Sequence, residues 1–510
     1  MKKIIYSALA VLLISTACSE EFTDIAPVGV LESSTFFEKE SNAEEALIGL
    51  YDLMQFNYAK DWSSAFFLKQ IPGDAANAGG PVSDDQPQLQ EIDDHTNISI
   101  SNPSIESVWA GYYKTIALAN TIINTVEAGS LGNKEFVIAE AKFMRAWCYF
   151  ELTTMWGDVP LRLVNPTEIS PLAFAVPKST RAEVYKIVEA DLTAAIAGLP
   201  EKGAVSHVFR VSKGTAQATL GKVLVFQGKN TAAIPLFEAV ISNASYDLET
   251  DVADVYLEKT EFGIESLFEL GFISTNGVDW GNVAWGGRVE SNLHVQLMGP
   301  RGDGVFDLTG TDLINGWGFN LPTDKLVKAF EAAGDVKRKA ATVMTEGELN
   351  LLGGSYDATK NHWDYEGAIR TKYATSESQT SSSGVKELNY TTNWRVFRYA
   401  EVLLLAAEAY NAEGQDAKAR VELNKIRLRA GLAEVSATLA GTDLFDAIVN
   451  EKYLELAHEG QRFWDLVRWG KANAELAVAG YTSKNDLFPI PLAEISKNEA
   501  LTTADQNPGY

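Results

Sequence analysis

The sequence predicts a mostly α-helical protein, a right-handed superhelical frame of helical pairs topped by an irregular, loop-rich cap with short strands. Three observations carry this. Apolar residues recur at helical spacing over both ends of the 510-residue chain. The stretch 262–393 is instead rich in Gly, Asn, Ser, Asp and Trp, which marks loops and short strands. Two distant segments share one five-position spacing.

From the N-terminus, Met1-Lys2-Lys3 precedes an uncharged run over 4–14 and then Ser15-Thr16-Ala17-Cys18. This is the layout of a secretory leader, and the apolar run is shorter than the roughly 20 residues a spanning helix needs. A Cys directly after Ser-Thr-Ala resembles the bacterial lipobox. Residues 1–17 are therefore expected to leave and Cys18 to carry the lipid. Ser19-Glu20-Glu21 resembles the surface-export signal of Bacteroidota lipoproteins and places the address at the outer face of the outer membrane.

Helical spacing then predicts helices over 42–57, 104–127, 134–155, 181–199, 212–227 and 231–243, and later over 398–412, 416–429, 444–459 and 461–471. Gly221, Leu224, Ala233, Phe237 and Val240 repeat as Ala407, Tyr410, Ala419, Leu423 and Ile426. This is the tetratricopeptide spacing, with a small residue where two helices touch and large ones beside it. Gly228 and Gly414 end the first helix of each pair. An interrupted third copy is expected from Ala146 and Tyr149 through Leu192, Ala195 and Pro200. The resulting division is a leader over 1–17, helical regions over 18–260 and 396–510, and a loop-rich insertion over 261–395 carrying ligand-binding elements.

The formal net charge is −25, and it becomes more negative once Lys2 and Lys3 depart. So acidic a surface repels phosphate backbones, which excludes nucleic acid and disfavours strongly anionic polysaccharides without a metal. Neutral glycans remain open. With only Cys18 and Cys148, and the first assigned to lipid, no intrachain disulfide is expected; Cys148 reads as a small buried hydrophobe.

Several segments, in order, resemble the SusD/RagB family: 145–152 with Trp156-Gly157-Asp158-Val159-Pro160-Leu161, then Gly316-Trp317-Gly318-Phe319-Asn320, then 398–409. After these stand 423–432, 451–468, Phe488-Pro489-Ile490-Pro491 and the ending Gln506-Asn507-Pro508-Gly509-Tyr510. The resemblance implies a helical fold with four tetratricopeptide-like pairs and an irregular region that holds a glycan. It also implies a partner, a SusC-like TonB-dependent transporter to which the captured oligosaccharide is passed. Glu455, Arg462 and Asp465 are expected in a buried ion network, because charges among Trp464 and Trp469 need partners.

A neutral sugar needs aromatic platforms flanked by amides, carboxylates or Arg. Trp109, Trp147, Trp156, Trp464 and Trp469 lie on helical stripes and read as core, whereas Trp280, Trp285, Trp363 and Tyr365 lie in loop-like sequence and are the stacking candidates. Trp317, in a family framework segment, is a weaker one, and Trp62 reads as packing. The polar stretch 73–95, with Asp74, Asn77, Asp84, Asp85, Gln86 and Gln88, would contribute hydrogen bonds, Asn77 and Gln86 foremost; Arg288, joined by Arg301 and Arg370, could form a local basic pocket. Arg301-Gly302-Asp303 is too short a match to signal adhesion.

Hydrolase, nucleotide and metal motifs are missing, and the five His are scattered. No catalytic residue, metal or cofactor is assigned. The expected function is capture of a neutral glycan (a β-glucan, an α-glucan or a mannan) at the cell surface. The alternatives are a protein-binding scaffold and a secreted glycoside hydrolase.

Overall fold

The computed structural model describes residues 36–166, 170–274, 277–281, 283 and 290–510. Cys18, Trp285 and Arg288 lie outside the described residues. The frame is a succession of packed helices: Glu40–Ala59, Pro103–Ala128, Lys134–Trp156, Arg181–Gly198, Lys213–Phe226 and Asn230–Ile241. Asn230–Ile241 then packs on Tyr399–Ala412, which is followed by Asp416–Arg429 and Gly441–Glu455. Residues 262–393 thus enter as an insertion between two successive helical pairs.

Local sequence sets these boundaries. Asn102 accepts the N–H groups of Ser104 and Ile105, and Thr180 and Ser212 form capping boxes with Glu183 and Thr215. Gly228 and Gly414 adopt left-handed φ values of 70° and 69° and end their helices in one geometry: Lys229 N–H donates to the Leu224 carbonyl, and Gln415 N–H to that of Tyr410.

The repeat positions are all buried, Ala233, Phe237, Val240, Ala407, Ala419, Leu423 and Ile426 completely. Ala146, Tyr149, Leu192 and Ala195 of the interrupted copy are also fully buried, in packed helices. A Cβ on Gly221 would lie 2.5 Å from a ring carbon of Phe237. Gly221→Ala is therefore expected to destabilise the protein by about 1 to 2 kcal/mol in denaturant titration, despite alanine's better helix propensity.

The insertion differs from a plain loop region. It holds the helices Asp324–Ala333, Val336–Thr342 and Glu346–Leu352 as well as short strands. Ala76–Gly79 pairs antiparallel with Phe319–Pro322, Ser266–Leu270 with Trp394–Arg398, and Val343–Thr345 with Ala368–Arg370. The stretch 73–95 likewise contains a strand and the helix Pro87–Asp93.

Four of the five helical tryptophans are buried, while Trp469 is half-buried and donates to Glu408 Oε1 at 2.9 Å. Cys148 is buried and free. Glu455, Arg462 and Asp465 are all in ion pairs but not with one another: Glu455 meets Arg338, Arg398 and Arg429, Arg462 meets Asp74, and Asp465 meets Lys452 and Arg468. No helix among the described residues is long and apolar enough to cross a membrane.

Candidate functional site

Three tryptophans from distant segments form a stepped stack at one cleft. Trp62 lies between the helices Glu40–Ala59 and Ala65–Gln70, Trp317 just before the strand Phe319–Pro322, and Trp280 in the loop 277–281. Trp62 and Trp317 have centroids 5.4 Å apart with planes 24° apart, and Trp317 and Trp280 are 6.2 Å and 13° apart. Phe319 meets Trp62 edge-on at 5.8 Å. Trp280 is 51% exposed, so this stack presents apolar ring surface to solvent.

The backbone holds the middle ring in place. Trp317 N–H donates to the Gln296 carbonyl at 3.0 Å, and its own carbonyl accepts from Arg301 Nη1 at 3.2 Å. Gly318 has φ 74°, and a Cβ on Gly316 would lie 2.4 Å from Gly299 Cα, so glycine on both sides lets the chain approach that turn. The loop bearing Trp280 is fastened by Asn389, whose Oδ1 accepts Val278 N–H at 2.7 Å and whose Nδ2 donates to the Val278 carbonyl at 2.8 Å.

The cleft encloses about 440 Å³, with Asp85, Gln86, Gln296, Arg301, Asp303, Asn315 and Glu387 joining the rings. Its formal charge is acidic, and Arg301 is neutralised by its ion pair with Asp303. Gln296 is 2% exposed, its Nε2 donates to the Asn315 carbonyl at 3.1 Å, and its Oε1 has no protein donor among the described residues. Aromatic faces, amides and carboxylates around an open cleft suit a ligand with C–H faces and hydroxyl rims.

Of the residues singled out in the sequence, Trp280, Trp317, Asp85, Gln86 and Arg301 line this cleft, as does Trp62, which the sequence reads as packing; Gln296, Asn315 and Glu387 carry no such signal in the sequence. The others stand elsewhere. Trp363 is 43% exposed on a neighbouring loop, its N–H bonded to the Gly80 carbonyl at 2.9 Å. Tyr365 packs with His362, Tyr356 and Phe306, centroids 4.7, 4.6 and 5.5 Å away. The Asn77 amide donates to the Asp364 carbonyl and to Glu366 Oε1, both at 2.9 Å, and so fastens loops. Asp74 is taken up by Arg462 and Lys325. A basic pocket does not form from Arg301 and Arg370, because Arg301 is paired and Arg370 is buried in the interior.

A larger groove, about 850 Å³, runs past Trp109, Tyr113, Arg162, Phe174 and Glu494. Two of its rings are spent on packing, while Phe174 is 41% exposed. Trp109 is 3% exposed, and Tyr113 is covered by the Arg162 guanidinium at 5.6 Å with its hydroxyl on the Pro160 carbonyl at 2.8 Å.

Beside Trp363 lies an acidic group, Asp93, Asp94, Asp364 and Glu366. Among the described residues no three His, Cys, Asp or Glu are grouped so as to hold a metal ion. Burial, followed by the charges of Asp94 and Glu366, raises the Asp364 carboxyl to about 6. A raised folded-state value means stability present at low pH and lost as pH rises through 6. Asp364 has φ 55°, which Asn tolerates. Asp364→Asn is expected to stabilise the protein by about 1 kcal/mol at pH 7.5 after solvent screening, with no gain at pH 4 in thermal unfolding.

Comparison with known proteins places these features in context. A family model described as "SusD family" matches residues 285–510, and one described as "Starch-binding associating with outer membrane" matches residues 31–225. SusD-like protein P2 of Formosa agariphila is 28% identical over the whole of both chains. A solved laminarin binding SusD-like protein superposes with a TM-score of 0.81 and 30% identity, covering 92% of this chain and 100% of that one. Surface glycan-binding protein A from Bacteroides thetaiotaomicron, solved with laminarihexaose, gives 0.76 and 25% identity over 92% of this chain and 99% of that one.

Proposed function

Because the chain belongs to the SusD family, we propose that it is a non-catalytic glycan-binding protein of the outer-membrane surface, taking a neutral β-glucan of the laminarin type at the tryptophan cleft. The observation that carries this is the stack of Trp62, Trp317 and Trp280 in an acidic cleft whose Arg301 is already paired. Rings stack on the C–H faces of pyranoses, and the uncompensated carboxylates turn away uronates and sulfated sugars. Gln296, buried beneath the rings, braces the cleft by donating to the Asn315 carbonyl. The bound chain is passed to a SusC-like TonB-dependent transporter, and the protein is tethered through lipid on Cys18; both parts rest on the family and on the leader sequence.

Calorimetry with laminarin oligosaccharides tests the binding, with alginate as the polyanionic control. The expected result is saturable binding of laminarin, none of alginate, and no reducing sugar released. Release of reducing sugar at enzymatic rates, or tighter binding of alginate, overturns the reading. Gln296→Leu is expected to destabilise the protein by about 1 kcal/mol in thermal unfolding, through the loss of its bond to the Asn315 carbonyl. Palmitate labelling of the wild type but not of Cys18→Ala tests the anchor, and co-purification of the transporter tests the partner.

A further inference from the structure

Arg370 is a buried cation without a counter-charge or a hydrogen-bond partner among the described residues. It ends the strand Ala368–Arg370 and is 2% exposed. The ion network nearby is balanced without it: Arg338, Lys372, Arg398, Arg427 and Arg429 face Asp335, Glu265, Glu451, Glu455 and Glu459, five against five. Nε, Nη1 and Nη2 of Arg370 have no protein hydrogen-bond partner. Burial brings the guanidinium down to about 9, which leaves it charged at neutral pH. Buried charge without a partner is among the least favourable arrangements in a protein interior.

Other unmet groups lie in the same interior region. Trp394 is 1% exposed, its Nε1 has no partner, and its ring lies 4.1 Å from that of Tyr373 and 6.2 Å from that of His294. His458 is buried with Nε2 unpartnered and Nδ1 3.2 Å from Asn320 Oδ1. Burial, and then the charge of Arg370, keep His458 far below the ordinary histidine range; burial and Arg370 also act on His294, held at about 3. Both imidazoles are therefore neutral, and Arg370 supplies the single surplus charge.

We propose that Arg370 centres a buried site for a small monovalent inorganic anion of the chloride kind, with the Trp394 indole N–H as a second donor. Rotation of the Asn320 amide would let His458 present Nε2–H as a third. One surplus charge selects a monovalent ion, and enclosure selects one small enough to be trapped as the chain folds. The site underlies the tryptophan cleft, because His294 Nε2 meets the Asp61 carbonyl at 2.9 Å, next to Trp62, and His294 shares a short helix with Gln296.

Crystals of the protein grown in sodium bromide, measured at the bromine absorption edge, test this. The expected result is an anomalous peak within hydrogen-bonding distance of the Arg370 guanidinium, absent in Arg370→Met. In parallel, the wild type is expected to melt several degrees lower in sodium gluconate than in sodium chloride at equal ionic strength, and Arg370→Met to show no difference. Water oxygens alone at Arg370 with bromide bound only at the surface, or a carboxylate side chain turned in to pair with it, would overturn the proposal. If Arg370→Met does not fold, the wild-type bromide map decides by itself.

Discussion

Trp317→Ala is expected to weaken laminarin-oligosaccharide binding by at least about 2 kcal/mol, roughly 30-fold, without changing the fold. Trp317 is the middle ring, so its loss removes its own face and the support on which both Trp62 and Trp280 rest. The backbone does not depend on the ring, since the Gln296 carbonyl and Arg301 hold the peptide and the neighbouring glycines make the turn. Trp280→Ala should cost less, because two rings remain. Trp363→Ala, on a neighbouring loop outside the cleft, should change affinity less than twofold. Calorimetry on the three variants, with circular dichroism as a folding check, decides the matter. Unchanged affinity in Trp317→Ala with a marked loss in Trp363→Ala would move the site to that loop.

The sequence made the frame legible because helices and their pairing are written in local terms. The five-position spacing, with Gly228 and Gly414 at matching turns, identifies a close-packed hairpin before any contact is known. The helix Asp324–Ala333 escaped because its single apolar face, Leu326, Val327 and Phe330, lies within a stretch whose composition reads as loop. The cleft was harder still. Its residues come from segments around 62, 86, 280, 296–303, 315–319 and 387, and only tertiary structure makes them neighbours. Composition places Trp280, Trp363 and Tyr365 outside helices, where the structure also has them, but loop sequence does not say which ring faces solvent and which packs. Tyr365 is spent on a cluster with Phe306, Tyr356 and His362, while Trp62, read as packing, stands at the cleft. The local sign for Trp62 was present in Asp61-Trp62-Ser63-Ser64, a break between helices that carries one large ring.

Arg398→Met is expected to destabilise the protein by about 3 to 5 kcal/mol, the largest effect of any single change considered. Arg398 is 1% exposed and donates to Glu459 Oε2 at 2.7 Å, Glu265 Oε1 at 2.7 Å and Glu455 Oε1 at 2.6 Å, with a further bond to the Glu455 carbonyl at 2.7 Å. These bonds fasten the end of the strand Trp394–Arg398 to the segment before Ser266–Leu270 and to the end of the helix Gly441–Glu455, which closes the insertion onto the frame. Methionine fills similar space but leaves three buried carboxylates short of a cation. Lys418→Ala, which removes an exposed pair with Glu238, should cost under about 1 kcal/mol and serves as the contrast. The pH dependence carries the same signature. Burial pushes Glu455 and Glu459 up, but Arg429, Arg398 and Arg338 around the first, and Arg398 and Lys372 around the second, hold both below the ordinary carboxylate range. Groups lowered in this way stabilise the fold above their unfolded values, about 4.3, and that stability drains away as pH falls through and below them. Without Arg398 the carboxylates lose part of that hold and protonate more readily, so urea unfolding at pH 7 and pH 4 should show the deficit of Arg398→Met shrinking at the lower pH without vanishing. An equal deficit at both would mean that Arg398 acts through packing rather than charge.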